Sequence, residues 1–355
     1  MDKAIYDIRL ARLDETERLQ TFIDEHWRRN HIFVKSKTLL DWQHLNNSAD
    51  HYNFIVGIEI TSGEIHGVLG FIPLSQFDAS LPDESLCWMA IWKVCAAARG
   101  RKLGRHLMAY LTDCVKPGCI STVGATEMTL RMYADRGYQI GRMAQHFVLN
   151  PAIDKFSLIN LNGMPRPTTA PKAVTPKKTL RRISENELHR SDVKLFDKQL
   201  AIPKKTPAYI INRYCRHPLY HYTIYHILQS GHVEGIIVTR TSEHRSVRAI
   251  RIVEFVGPDA AITGLGTEWL DLLVHENAEY IDFYSAGIPL EILNAAGFHH
   301  RQADSGIVVP NYFEPFSRQT VDIDYMISAD VTQSFRIVKG DSDQDRPNRL
   351  PDDQR

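Results

Sequence analysis

The chain has 355 residues, with 42 lysines and arginines set against 42 aspartates and glutamates and an apolar fraction of 43%, enough for two globular domains with cores of their own. A net charge of zero excludes a protein that coats nucleic acid or membranes through its overall field, so any anion site must come from local clustering. No apolar run approaches the roughly 20 residues of a membrane span, and the opening MDKAIYDIRLARLDE has no signal-peptide pattern. Five cysteines, Cys87, Cys95, Cys114, Cys119 and Cys215, are odd in number and mostly set among apolar or small neighbours, so free thiols in a reducing, cytoplasmic compartment are expected.

In chain order, ETERLQTFIDEHW carries apolar residues at helical spacing and KTLLDWQHLN predicts a second helix. HYNFIVGIEITSG turns at Ser62-Gly63 into EIHGVLGFIPLSQF, an antiparallel hairpin, and SLCWMAIWKV reads as a strand buried on much of both faces. A glycine-bearing turn leads into the helix RHLMAYLTDCV, the strand CISTVGA, the helix TEMTLRMYADRG and a last strand YQIGRMAQHFVL. Residues 151–180 contain five prolines and read as a connecting segment. The second half then repeats the order: three strands over HILQSGHVEGIIVTRTSEHRSVRAIRIVEFVG, the helix AITGLGTEWLDLLVHENA, the strand EYIDFYSAG, the helix IPLEILNAAGF and a return strand HHRQADSGIVVP. TLRMYADRGYQIGR (129–142) and LEILNAAGFHHRQ (290–302) align as short helices ending in glycine and an aromatic. Two copies of one fold follow, at 1–150 and 181–335, with a linker at 151–180 and a polar tail at 336–355 whose composition favours disorder.

The stretch VCAAARGRKLGRHL gathers Arg99, Arg101, Lys102 and Arg105 around Gly100 and Gly104, between a strand and a helix. Such a turn leaves backbone N–H groups unpaired at a helix N-terminus, where the helix dipole favours phosphate and the basic side chains add charge-assisted bonds. It is neither a Walker loop nor a dinucleotide turn. The residues alone also allow a basic helix start lying on the surface.

Val94-x4-Arg99-Gly100-x-x-x-Gly104 resembles the pyrophosphate loop of GCN5-related N-acetyltransferases, Arg/Gln-x-x-Gly-x-Gly/Ala. Arg99 matches the leading Arg, Gly104 the closing Gly or Ala, and Lys102 stands where the family has its first glycine. About 30 residues on, MYADRGY supplies Met132, Tyr133, Gly137 and Tyr138 in place of the family's Leu-Tyr-x-x-x-Gly-Phe/Tyr. The resemblance implies a mixed α/β (α+β) chain of tandem domains, each a twisted central sheet flanked by helices, with acyl-coenzyme A as co-substrate. It further implies that Val94, Arg99, Gly100, Arg101, Lys102, Leu103, Gly104 and Arg105 hold that co-substrate, that SLCWMAIWKV and CISTVGA splay to admit the pantetheine arm, and that a main-chain N–H near Val94 polarises the acyl carbonyl. Tyr133 then protonates the departing thiolate after direct attack by an amine, with no acyl-enzyme. Glu127 and His31 are candidate bases, His26 stands beside them, and a capping role is the alternative for Glu127.

The second copy has VEFVGPDAAITGLGTEWL in place of the basic loop and Asn294 in place of Tyr133, so only the first is expected to bind coenzyme A. For the acceptor, FIDEHWRRNHIFV (22–34) and YIINRYCRHPLYHY (209–222) combine aromatics with arginines, which suits a nucleotide base and diphosphate; tyrosine packing on an amphipathic helix is the other reading of the second. Together with WKVCAAARGRKLG, MYADRGY, RIVEF and GDSDQDRPN, these stretches resemble two-domain N-acyltransferases of bacterial polysaccharide gene clusters, which modify nucleotide-linked amino sugars. That resemblance implies a dTDP-linked amino-dideoxy sugar as partner, acetyl- or 3-hydroxybutyryl-coenzyme A as donor, and His26, Trp27, Asn30, His31, Arg213, Tyr214, Arg216 and Arg251 as acceptor contacts. No histidine cluster has a Cys or carboxylate at ligand spacing, so no metal is expected. Nucleic acid and membrane insertion are not expected either, and monomer and homodimer both stay open. Two rival readings are a tRNA-dependent aminoacyl transferase, with the basic linker 166–182 as its RNA surface, and a non-catalytic coenzyme A-binding module in which Lys102 marks a disabled loop.

Overall fold

The first half of the chain begins with β1 (Tyr6–Arg12), α1 (Thr16–Phe22), α2 (Ile32–Lys35) and α3 (Lys37–His44). The strands β2 (Leu45–Asn46), β3 (His51–Glu59), β4 (Ile65–Pro73) and β5 (Leu86–Val94) follow, then α4 (Leu103–Tyr110), β6 (Cys119–Val123), α5 (Glu127–Ala134), β7 (Gln139–Arg142) and β8 (Ala144–Leu149). The second half runs β9 (Lys178–Ile183), α6 (Glu185–His189), α7 (Val193–Asp197), α8 (Pro207–Ile210), β10 (Thr223–Gln229), β11 (His232–His244), β12 (Val247–Val256), α9 (Gly266–His275) and β13 (Ala278–Ala286). It closes with α10 (Leu290–Ala295), β14 (His299–His300), the hairpin β15 (Tyr312–Phe313) and β16 (Phe316–Ser317), β17 (Asp324–Ile327) and β18 (Ile337–Val338). This computed structural model describes residues 5–46, 48–82, 85–163, 165–166, 177–190, 193–330 and 332–350. Most of the proline-rich linker, 167–176, therefore lies outside the described residues.

Two large mixed sheets result, in the orders β1-β3-β4-β5-β6-β17-β7 and β14-β8-β13-β12-β11-β10-β9. Each contains an antiparallel run, a helix, and a strand returning parallel to the last: β3-β4-β5-α4-β6 in one and β10-β11-β12-α9-β13 in the other. The internal repeat is thus real, and the fold class is a mixed α/β chain with tandem, similarly wound domains. Its strand ownership differs from the sequence reading. The expected strand YQIGRMAQHFVL breaks at Met143, so that β7 joins the first sheet while β8 crosses over and pairs with β13 and β14 in the second. In return β17 enters the first sheet between β6 and β7. HHRQADSGIVVP forms a strand only over its first two residues.

Gly57 and Gly67 show why α4 lies where it does. A Cβ on Gly57 would stand 2.5 Å from Leu103 Cδ1, and one on Gly67 2.9 Å from Leu103 Cδ2. Bare backbone on β3 and β4 lets the first residue of α4 sink into the sheet, which fixes the start of the helix and the loop before it. Leu103, Leu107 and Met108 are fully covered there.

The described part of the polar tail, residues 336–350, is not loose. Ile337 and Val338 pair with Ala286 and Ser285 of β13, and the Gly340 N–H donates to the Val253 carbonyl of β12 (2.8 Å). Residues 337–340 therefore fill the gap that opens where β12 and β13 diverge past Ile252 and Phe283. Beyond it, Lys205 Nζ reaches Glu254 (2.6 Å) and Asp341 (2.8 Å), Arg213 donates to the carbonyls of Gly340 and Ser342, and Arg240 pairs with Asp345 (2.7 Å). All of these side chains are buried or nearly so. A second core, with Trp88, Tyr209, Tyr214, Tyr284 and Ile337, fills the space between the two sheets. All five cysteines are free, and no helix among the described residues is long and apolar enough to cross a membrane.

Two outcomes follow for stability. Lys205→Met leaves Glu254 and Asp341 buried without a cation and lowers stability by about 3–5 kcal/mol in urea unfolding. Desolvation by burial pushes His31 down to about 2 and His44, His146 and His217 down to about 3. These imidazoles stay neutral in the folded chain and take up protons on unfolding. Their contribution is complete above the ordinary histidine pKa of about 6.5 and is lost as pH falls toward 3, by up to about 1.4 kcal/mol per pH unit for each. Urea midpoints should drop between pH 7 and pH 5, the range in which the unfolded histidines take up their protons.

Candidate functional site

The site begins with an irregularity in β5. Leu69 of β4 faces Trp92 and Phe71 faces Met89, so two residues of β5, Ala90 and Ile91, stand opposite Gly70 alone. Such a bulge bends and twists its strand. On its other edge β5 pairs with β6 only from Leu86↔Cys119 to Met89↔Thr122. Past Met89 the two parallel strands separate, as the splay anticipated for SLCWMAIWKV and CISTVGA requires. The Cys95 N–H donates to His66 of the neighbouring chain segment (2.8 Å), and successive N–H groups in a strand point to opposite edges. The Val94 N–H therefore points away from β4, toward the open side.

A cavity of about 780 Å³ occupies the opening, walled by Trp92, Thr122, Gly124, Tyr133, Tyr312 and Glu314 among others. Its floor comes from the tail: Ser342 Oγ donates to the Met89 carbonyl (3.3 Å) and Gln344 Nε2 to the Val123 carbonyl (2.9 Å), just where the strands part. Asp343, Gln344, Arg346 and Asn348 line the cavity too. Asp343 is paired with Arg346 at 3.0 Å, and Arg28 donates to Asn348 (3.3 Å).

The basic loop borders this opening. Lys102 is the N-cap of α4 and has φ 57° and ψ 13°, the left-handed conformation that a glycine adopts without cost. The Lys at the family's glycine position thus keeps the glycine's backbone angle. The N–H groups of Lys102, Leu103 and Gly104 have no backbone acceptor among the described residues. Arg99, Arg101, Lys102 and Arg105 are exposed, and none forms an ion pair among those residues. Leu103 contributes through its N–H alone, since its side chain is buried in the sheet. Gly104 ties the loop to the cavity wall, for a Cβ there would lie 3.6 Å from Val94 Cγ2 and 3.7 Å from the Trp92 indole. That is ordinary contact, so alanine fits.

Tyr133 projects from α5 between Trp92 and Tyr138, with ring centroids at 6.3 Å and 6.4 Å. Only 3% of it is exposed, and its burial pushes the phenol well above its ordinary pKa. It is therefore a neutral hydroxyl on the cavity wall, able to give a proton. Thr126 caps α5. The other candidates are placed differently.

Glu127 is 81% exposed, ion-paired with Arg131, and does not line the cavity, so it is corrected from base to surface residue; the cap it was to provide comes from Thr126. His31 caps α2, its Nδ1 accepting the Phe33 N–H (3.3 Å). Its one acceptor nitrogen is thereby occupied and burial keeps the ring neutral, which removes it as a base. His26 packs edge-on against Phe22 at 4.8 Å and Asn30 is exposed on a turn held by Asp24. Of the acceptor contacts expected in the first stretch only Trp27, 43% exposed, reaches the cavity, with Arg28 beside it.

The second stretch is structural, as the tyrosine-packing alternative had it. Arg213 clamps the tail, and Tyr214 donates to Glu254 (3.0 Å) inside the core. Arg216 lies on the surface, bridging Asn212 and Glu185, and Arg251 is buried against the carbonyls of Asn311 (2.6 Å) and Pro310 (2.8 Å). None of the four can meet a ligand in the cavity. What the sequence reading missed is the hairpin β15/β16, which carries Tyr312 and Glu314 and has no motif. The GDSDQDRPN stretch was noticed, but its composition hid that Asp343, Gln344, Arg346 and Asn348 complete the wall.

No family model matches the chain, and no curated protein matches it. Solved structures do. A GCN5-related N-acetyltransferase from Anabaena variabilis is 14% identical, with 91% of this chain covering 72% of that one at a TM-score of 0.52. One from Kribbella flavida is 13% identical, with 92% and 72% covered at a TM-score of 0.54. At such identity the likeness establishes the fold: the chain is wound like GCN5-related N-acetyltransferases over most of its length.

A left-handed backbone costs a residue with a Cβ about 1–2 kcal/mol. Lys102→Ala keeps that strain and removes the ammonium, whereas Lys102→Gly relieves it while loosening the unfolded chain by a somewhat smaller amount. Thermal melts should rank Lys102→Gly at or above Lys102→Ala by about 0.5–1 kcal/mol.

Proposed function

We propose that the protein is an acyl-coenzyme A-dependent N-acyltransferase whose acceptor is the amine of a nucleotide-linked amino sugar. The observation that carries the first part is the open slot between β5 and β6, which begins at a loop with free N–H groups and a left-handed Lys102 and ends beside a buried, neutral Tyr133. A slot with an unpaired strand edge suits an amide-bearing pantetheine arm lying like an added strand, and the loop suits its pyrophosphate. The residues present therefore fit the co-substrate. It would supply an activated thioester, while the chain positions and protonates.

In this reading the Val94 N–H polarises the acyl carbonyl and stabilises the oxyanion that forms on attack. Tyr133 gives its proton to sulfur as the carbon–sulfur bond breaks, a task that needs the phenol uncharged, as its burial ensures. The second half of the chain has the same opening between β12 and β13, but residues 337–340 fill it. One donor site per chain follows.

The acceptor assignment rests on the likeness of the quoted motifs to two-domain acyltransferases of bacterial surface-polysaccharide clusters, with a dTDP-linked amino-dideoxy sugar as first choice and acetyl- or 3-hydroxybutyryl-coenzyme A as donor. Of the contacts expected from sequence Trp27 is kept and the others give way: Trp27 and Tyr312 offer aromatic faces, and Arg28 and Lys93 offer cations on the same cavity. About 780 Å³ is within the usual range for small-molecule sites. A substrate pair of this kind places the protein in the cytoplasm. An RNA-borne acyl donor is less well served, since Lys178 is buried on the carbonyls of Ala260 (2.6 Å) and Ala261 (2.9 Å) and Arg181 is paired with Glu187.

Thermal unfolding with coenzyme A, dTDP, UDP and GDP tests both parts: a bound ligand at 100 times its Kd adds about 2.7 kcal/mol. Coenzyme A with one nucleotide raising the midpoint supports the proposal, and no response to coenzyme A refutes it. Tyr133→Phe should lower kcat by about 10²-fold or more while the coenzyme A shift stays at its wild-type value. Unchanged turnover would remove Tyr133 as the acid.

A further inference from the structure

With Glu127 and His31 removed, a group that receives the acceptor's ammonium has to come from the walls of the cavity itself. Two carboxylates line it, Asp343 and Glu314. Asp343 is spoken for by Arg346 at 3.0 Å. Glu314 forms no ion pair among the described residues, and the backbone N–H of Asn348 donates to it (3.1 Å), with the half-buried Tyr220 lining the same clefts. A carboxylate has about four acceptor positions, so the one backbone donor positions the group and leaves most of its acceptor capacity for a ligand.

Its place in the fold matters as much as its chemistry. Glu314 stands at the turn of the β15/β16 hairpin and lines the same cavity as Tyr133, Trp92 and Thr122. The same residue borders a second cleft of about 330 Å³, lined by Tyr220, His221, Arg240 and Arg349 among others. None of the basic-loop residues lines this second cleft. The donor slot and the second cleft thus share Glu314 as a common wall residue.

We propose that Glu314 is the catalytic residue that anchors the acceptor's ammonium and takes its proton, and that the acceptor is a primary amine reaching it from the side of the second cleft. This rests on the N-acyltransferase reading above. The ammonium gives one proton to the Glu314 carboxylate, and the freed lone pair forms the carbon–nitrogen bond as the carbon–sulfur bond breaks. Tyr133 protonates the sulfur, the second nitrogen proton restores the phenol through water, and Glu314 returns its proton to solvent. Amide, thiol and one proton are the products. The charged and titratable groups that line these clefts with Glu314 are Tyr220, His221, Arg240, Glu243, Tyr312, Lys339, Asp345, Arg346 and Arg349, from β11, β15, the segment before β10 and the tail. Arg240 with Asp345 and Arg346 with Asp343 are internally paired. Lys339 donates to the Asn311 carbonyl (3.1 Å), and neither it nor Arg349 forms an ion pair with Glu314 among the described residues.

The test compares wild type, Glu314→Gln and Glu314→Asp, using acetyl-coenzyme A and 3-hydroxybutyryl-coenzyme A with dTDP-3-amino-3,6-dideoxyhexose, and reads thiol release from pH 6 to 9.5. Calorimetric binding of that amino sugar and of its N-acetyl counterpart runs in parallel. The expected result for Glu314→Gln is a loss of kcat/KM of at least 100-fold at pH 7 that narrows by tenfold or more toward pH 9.5, where the amine deprotonates unaided. Glu314→Asp should recover part of the activity, and KM for the acyl donor should stay within twofold of wild type. In binding, the wild-type preference for amine over N-acetyl sugar should vanish in Glu314→Gln. Wild-type kcat/KM in Glu314→Gln across the range, or an undiminished amine preference, overturns the assignment and leaves the N-acyltransferase reading standing. Absence of thiol release from the wild type, with amine binding that depends on Glu314, overturns that reading and leaves the ammonium site. A wild type that binds neither sugar overturns the ammonium site.

Discussion

Burial of the C-terminal segment's charges is the constraint on which the rest of this structure depends. Asp341 and Asp345 lie in the interior with Lys205 and Arg240 against them, and the Gly340 and Ser342 carbonyls are gripped by Arg213. A buried charge without its partner is strongly unfavourable, so these three cations specify the path of residues 340–345 closely. Gly340 has no room for a side chain, since a Cβ there would collide with the Tyr214 hydroxyl and the Val253 carbonyl. Burial alone would raise the Asp345 carboxyl; the charge and hydrogen bonds of Arg240, with Lys339 and Tyr222, outweigh it and hold the group down to about 2.

Once that path is set, the two halves of the chain take different fates. Diverging parallel strands leave backbone donors and acceptors without partners, and such groups must be satisfied. In the second half the chain does this itself, with 337–340 inserted between β12 and β13. In the first half the tail stops at the apex, where Ser342 and Gln344 take the carbonyls of Met89 and Val123, and the slot above stays open. One sheet opening is thus closed by the chain and the other is floored by it, which is the physical basis for proposing a single donor site.

The exchange of β8 and β17 adds rigidity to this arrangement. Each sheet is completed by a strand from the other half of the chain, and β17 lies directly beside β6, one arm of the slot. Movement of one sheet relative to the other would break ladder hydrogen bonds in both. The wall contributed by the β15/β16 hairpin, between β14 and β17 in sequence, is held against the first sheet by the same connection.

The order of strands and helices in both halves was legible in the sequence, because period-2 and period-3.6 apolar patterns and turn residues are local signals. So were the loop from Arg99 to Arg105 and Tyr133, since a strand–turn–helix anion site is built from consecutive residues. Not legible were the crossing of β8, which depends on which sheet edge is free, and the fate of the arginines at 213 and 251, whose partners lie 127 and 60 residues away. An arginine bound for a ligand and one bound for a carbonyl have the same sequence signature. GDSDQDRPN illustrates the limit most directly: its polarity predicts exposure, and only the placement of Lys205, Arg213 and Arg240 by the fold makes burial affordable. Sequence alone determined the elements, the repeat and the basic loop, because these are set by neighbours in the chain; the open slot, its floor and the carboxylate on its wall were decided by tertiary structure, because each is made where segments far apart in sequence meet.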